Sequence, residues 1–171
     1  MSVRQAVSLD GMWDFRHESD VGWRQSPVPM PWQAVFPDLR QSFGRATYRR
    51  SFARPDLRGR VAVLCFGAVG DSATVRLNGQ ILGVHEGGWL PFEFPLDDKL
   101  LRENNLLEVD CHLPDGNAFG EIPHGKQSWY GPTAGIWQSV RLDLRAPVHV
   151  THCAISADLG SGRVDLRIET S

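Results

Sequence analysis

The chain has few of the features that brace a protein covalently or send it to a membrane. Only three cysteines occur in 171 residues, Cys65, Cys111 and Cys153. An odd, widely spaced set without a Cys-x-x-Cys pair is not a disulfide framework. Cys65 and Cys111 fall at inward positions of strand patterns and read as small buried hydrophobes. His149 and His152 stand beside Cys153 but lack ligand spacing and a second cluster, so no metal and no other cofactor is expected. No apolar run approaches the roughly 18 residues of a membrane helix. The opening Met1-Ser-Val-Arg-Gln-Ala-Val has no apolar leader core, which points to a cytoplasmic chain without a membrane partner. Charge of one sign never accumulates. The net charge is −2, so there is no basic field to hold a nucleic acid. A nucleophile elbow, a P-loop, an HExxH pair and a local Ser/His/Asp signature are all missing.

What is present is strand alternation punctuated by turns. Asn78-Gly79 between two alternating runs is a hairpin signal, because a type I′ turn needs φ > 0 at both central residues. Pairing outward from that turn sets Leu77 against Gln80, Val75 against Leu82 and Ala73 against Val84. Ala73, Val75, Leu77, Leu82 and Val84 then share one apolar face, as in one layer of a sandwich. Ser8 to Gly11 reads as a turn, and Met12 to Phe15 as a first strand with Trp13 and Phe15 on one side. Val21 to Asp38 is rich in proline, which denies it a helix or a central strand. It is expected to be a long loop pinned by Trp32. Further strands are expected around Tyr48, from Arg60 to Phe66 with both faces covered, at Phe92 and Phe94, and from Leu106 to Leu113. The last alternates Leu107, Val109, Cys111 and Leu113 against polar partners. Asp97 reads as the N-cap of one helical turn. Ile136 to Leu144 closes the sheet. About eight strands and almost no helix predict an all-β jelly-roll or Greek-key sandwich over residues 1–147.

Residues 148–171 read as two more strands across an Asp158–Arg163 turn. A lone hairpin cannot bury its own apolar face. It is therefore expected to open a second β domain, and to be held by a sheet edge or by a neighbouring chain, with homo-oligomers through strand edges as one outcome.

Residues 114–135 show no periodicity, and loops of that length inside a compact domain more often serve function. Glu86, Asp115 and Glu121 are the carboxylates that loops could bring together for glycosidic chemistry, but solvated loop charges explain them more simply. His85-Glu86 reads as a turn pair. No catalytic residue is assigned. Sugar binding needs an aromatic platform beside amides and charges. The long loop offers Asn117, Glu121, His124, Lys126, Gln127, Ser128, Trp129 and Tyr130. Trp129 and Tyr130 either form such a platform or cap one end of the sandwich.

Six ordered segments carry a resemblance: Ser8–Phe15, Val28–Trp32, Tyr48–Phe52, Val75–Gly79, His85–Phe92 and Gly135–Val140. In order and spacing over residues 8–145 they are similar to the N-terminal sugar-binding domain of glycoside hydrolase family two. That family holds β-galactosidases, β-glucuronidases and β-mannosidases. The resemblance implies a galactose-binding-like jelly roll, then an immunoglobulin-like sandwich, then a catalytic barrel carrying both catalytic glutamates. It implies that the loop Gly125–Trp129, with Lys126, Gln127, Ser128 and Trp129, reaches the rim of a carbohydrate site in a larger retaining enzyme; Asn117, earlier in the same long stretch, is the further substrate-binding candidate. Where the β-galactosidase branch has an acidic residue serving a cation, Gln127 or a neighbour stands here. A free-standing carbohydrate-binding module and a β-sandwich protein-interaction module are the competing expectations.

Overall fold

The computed structural model describes residues 4–115 and 131–171. Two antiparallel sheets face each other. The smaller contains β1 (Gln5–Ser8), β10 (Val140–Arg145), β5 (Val61–Phe66) and β8 (Phe92–Leu96), in that spatial order. The larger runs β3 (Arg24–Val28), β2 (Gly11–His17), β4 (Gly44–Ala53), β9 (Asn104–Leu113), β6 (Ser72–Leu77) and β7 (Gln80–Glu86). Alternation dictates which side chains meet between them. Trp13, Phe15, Tyr48, Val75, Leu77, Leu107, Val109, Cys111 and Leu113 come from the larger sheet, and Leu64, Phe66, Val140, Leu142 and Leu144 from the smaller. The expected sandwich is therefore the observed one, including the Asp97 cap, whose carboxylate accepts the Lys99 N–H at 2.9 Å.

Four expectations are corrected. The hairpin keeps its pairing only from Leu77–Gln80 to Arg76–Ile81, after which a bulge at Leu82 sets Gly83 opposite Val75 and Thr74 opposite Val84. Val84 consequently turns outward and is 62% exposed. The physical reason is Phe94: a Cβ at Gly83 would lie 2.4 Å from its ring, so that ring fills the inward position. Secondly, Gln5–Ser8 is a strand ahead of Met12. Thirdly, the proline-rich stretch is more ordered than a loop. Pro27 sits in the edge strand β3, where a missing N–H is tolerated, and Trp32–Val35 makes one helical turn. Fourthly, Cys65 is buried on the outer face of the smaller sheet, not in the core between the sheets, because β5 is covered on both sides.

That outer face carries a buried charge. Asp143 is 1% exposed and receives Arg4, Arg141 and Arg145, while Arg145 also grips Glu93 through Nη1 at 2.7 Å. Cys65 Sγ lies 3.5 Å from Asp143. Burial, followed by the charges of Asp143 and Glu93, pushes its thiol up to about 12. Burial alone would raise Asp143, but hydrogen bonds from Arg4, Arg145 and Arg141 outweigh it and hold the carboxyl far below the usual range. The outer face of the larger sheet is wetter. There Thr47 and Arg76 bond Asp110, Arg49 bonds Glu108, and Trp23 stacks with Arg49 at 4.2 Å and Arg16 at 4.9 Å.

The segment after β3 straps the sandwich shut. Trp32 and Phe15 are fully buried, with ring centroids 6.1 Å apart, and Tyr48 meets Phe15 at 4.9 Å. Met30 N–H donates to Ile136 and Trp32 N–H to Ala134. The strap thus fixes the chain that enters β10. Gly135 there has φ +85°, and a Cβ would fall 2.2 Å from the Tyr48 hydroxyl.

Strands β11 (Val150–Asp158) and β12 (Arg163–Thr170) pair with each other and, among the described residues, with neither sheet. The expectation that a sheet edge holds them is not met. Ile155, Val164, Leu166 and Ile168 share one face and are exposed.

Gly135→Ala is expected to lose about 3 kcal/mol of stability, since the new methyl combines left-handed strain with a buried clash; urea unfolding checks this. The Asp143 cluster stabilises above the unfolded carboxylate pKa of about 3.9 and loses that contribution as pH falls towards the lower folded value. Asp143→Asn should therefore cost about 3 kcal/mol at pH 7 and flatten the acid limb of the stability curve below about pH 5, measured by urea titration across pH.

Candidate functional site

Three stretches of chain meet at the end of the sandwich from which residues 116–130 depart and return. Gly70 and Gly135 exchange backbone hydrogen bonds, with Gly70 N–H donating at 3.0 Å. Gly87 N–H donates to the Asp71 carbonyl at 2.8 Å. Trp137 Nε1–H donates to the Gly88 carbonyl at 2.9 Å. Side chains would not fit between these strands of backbone. A Cβ on Gly88 would lie 3.3 Å from Gly70 Cα, and one on Gly70 would lie 2.9 Å from the Thr133 carbonyl. The glycines at 70 and 88 thus allow the segments to touch, and the hydrogen bonds hold them in place.

This clamp displays an aromatic corner. Trp89 packs against Trp137 with centroids 5.2 Å apart and planes at 64°. Trp89 remains 52% exposed and Leu90 68% exposed. A shallow crevice beside them is lined by Gly70, Asp71, Gly88, Leu113 and Thr133. Behind the corner His85 stacks on Phe92 at 3.9 Å and its Nε2 lies 3.0 Å from the Gly87 carbonyl. His85 is thus a packing and turn residue, as its sequence position suggests. A larger hollow of about 440 Å³ lies between the Asp143 cluster and the start of β11, lined by Arg4, Glu93, Arg145 and His149. Its guanidiniums are already engaged by Asp143 and Glu93.

The loop residues chosen from the sequence, Asn117, Lys126, Gln127, Ser128 and Trp129, lie outside the described residues, as do Glu121, His124 and Tyr130. Of the three loop carboxylates, Glu86 ends β7 and Asp115 follows β9, both exposed. Among the described residues no group of three or more His, Cys, Asp or Glu side chains is placed to hold a metal ion. In the sequence, Gly87-Gly88-Trp89-Leu90 stands out only as part of the resembling segment His85–Phe92. The available signal was two large apolar residues following two glycines, outside any strand period.

The fold and this corner define a class: a jelly-roll β-sandwich whose one end combines a rigid backbone clamp with exposed aromatic surface. No family model matches the chain. A β-glucuronidase of Paenibacillus borealis is 31% identical over 99% of the chain and 34% of its own length. One from Formosa agariphila is 31% identical over 63% of the chain and 12% of its length, and a β-galactosidase large subunit of Latilactobacillus sakei 29% over 68% and 19%. Among solved structures, a β-glucuronidase from an uncultured Clostridium superposes with a TM-score of 0.77 at 24% identity, covering 98% of this chain and 34% of that one. Ruminococcus gnavus β-glucuronidase in complex with D-glucuronic acid gives 0.78 at 22% identity over the same shares. The chain belongs to glycoside hydrolase family two, as a domain of the N-terminal jelly-roll type. It spans about a third or less of the length of these curated relatives.

Trp137→Phe keeps the aromatic contact and removes the bond to Gly88. It is expected to speed amide exchange at Gly87 about fivefold, from a loss of about 1 kcal/mol, with little change in global melting temperature; hydrogen exchange by NMR checks this.

Proposed function

We infer that the chain is the non-catalytic jelly-roll domain of a retaining β-glycoside hydrolase. In this reading it braces the catalytic domain and lends Gly125–Trp129 to the rim of the substrate site. Residues 148–171 are then the first strands of an immunoglobulin-like domain, whose remaining strands would cover Ile155, Val164, Leu166 and Ile168. The observation that carries the reading is the alignment of nearly the whole chain with only a third of a β-glucuronidase. Hydrolysis with retention needs two carboxylates about 5 Å apart, one as nucleophile and one as acid and base. Those groups belong to the rest of the enzyme.

The domain's own contribution is positional. A loop can guide substrate only if its ends do not move, because small displacements of a positioning group cost rate. Here the outgoing end leaves buried Leu113 at the end of β9, and the returning end is tied by the Gly70–Gly135 bonds and by the Trp32 strap. A free-standing carbohydrate-binding module is the second reading, favoured by the exposed Trp89 and Leu90.

The full-length gene product is expected to hydrolyse aryl β-glycosides, with Trp129→Ala lowering kcat/KM about tenfold while the fold persists. Steady-state kinetics on nitrophenyl glucuronide, galactoside and mannoside checks this. No turnover of any of the three would overturn the enzyme assignment.

A further inference from the structure

The aromatic corner combines an exposed ring with polar groups on a fixed backbone. Trp89 leaves half its surface in solvent on a backbone that the Gly87–Asp71 and Trp137–Gly88 bonds immobilise. Its indole N–H makes no hydrogen bond to any described residue. Neither does the carboxylate of Asp71, which lines the same crevice with Thr133. A flat apolar face bordered by a ready acceptor and a hydroxyl matches a pyranose ring, which offers C–H bonds on one side and hydroxyl donors at its edge. The rigidity matters because a preorganised platform loses little entropy on binding.

The sign of the charge narrows the ligand. Among the described residues no cationic side chain lines the crevice. A uronate carboxylate set against Asp71 would meet a like charge in a partly enclosed place, whereas a neutral sugar would donate hydroxyls to it. We propose that Trp89, Trp137, Asp71 and Thr133 form a subsite for a neutral β-linked pyranose. The proposal rests on the glycoside hydrolase reading. In that reading the subsite holds an uncharged sugar unit of a longer substrate, separate from the sugar that is cleaved. Sugar C–H bonds stack on the indole face of Trp89, Asp71 accepts ring hydroxyls, and Trp137 keeps the indole in place.

The test is a titration of the 171-residue chain with methyl β-D-glucopyranoside and, in parallel, methyl β-D-glucuronide. The indole N–H signals of Trp89 and Trp137 are followed by proton–nitrogen NMR. The Trp89 signal should move with the glucoside and saturate in the millimolar range, and move less with the glucuronide. Trp89→Ala should weaken glucoside binding about tenfold, read from the Trp137 signal, and Trp89→Phe should restore part of it. Asp71→Asn should narrow the difference between the two sugars. A sharp Trp137 indole signal whose N–H stays slow to exchange, as its bond to Gly88 requires, reports an intact corner in the sugar-free variants. Failure of the Trp89 signal to respond to either sugar, or glucoside binding that survives Trp89→Ala, overturns the subsite. Trp129→Ala should leave the Trp89 response intact, so the subsite can fail while the rim-loop reading stands, and the reverse.

Discussion

The structure depends on the aromatic strap that crosses from the edge of the larger sheet to the chain entering β10. Trp32 is fully buried against Phe15 and His17, and its indole N–H reaches Ser42 at 2.8 Å. Its backbone N–H and that of Met30 bond the segment 134–136. A sandwich gains most from burying the faces between its sheets, but that gain leaves the open ends free to splay. The strap ties one end through directional bonds and large rings. The bare Cα of Gly135 leaves room for the Tyr48 hydroxyl, where a side chain would collide with it. The end of the sandwich where β10 begins is tied down by this arrangement.

The two outer faces divide the remaining work. On the larger sheet, ion pairs such as Arg49–Glu108 lie across neighbouring strands and stay partly hydrated, so each contributes modestly. On the smaller sheet, Asp143 is sealed beneath three arginines, and losing its carboxylate leaves the mostly buried Arg145 with Glu93 as its remaining ion-pair partner. The latter cluster sits where β10 gives way to Ala146-Pro147 and the exposed hairpin.

Much of the fold was legible in the residues. Period-two alternation placed Trp13, Phe15, Leu107, Val109 and Cys111 inward, and Asn78-Gly79 marked its hairpin. Legibility failed where a distant side chain decided the outcome. The bulge at Leu82 exists because Phe94, from the other sheet, occupies the space over Gly83. Pro27 could be excluded from a central strand by local chemistry, yet only the pairing with Met12 makes it an edge residue. The inward reading of Cys65 fails because its strand is apolar on both sides, so alternation does not tell its two faces apart. At the candidate site, the six resembling segments named the family, and the aromatic loop was visible as composition. The Trp89 corner was not, because it joins residues 71, 89, 133 and 137, which share no period.

The amino-acid sequence by itself determined the sheet class, the inward residues of the regularly alternating strands, the family and the lack of local catalytic signatures. Those properties follow from alternation, turn chemistry and motif order, which act over a few residues. Tertiary structure alone decided where Trp89 stands, which face covers Asp143 and how the loop ends are tied. Each of these depends on atoms brought together from remote segments, and the distances at which they meet are set by packing between the sheets.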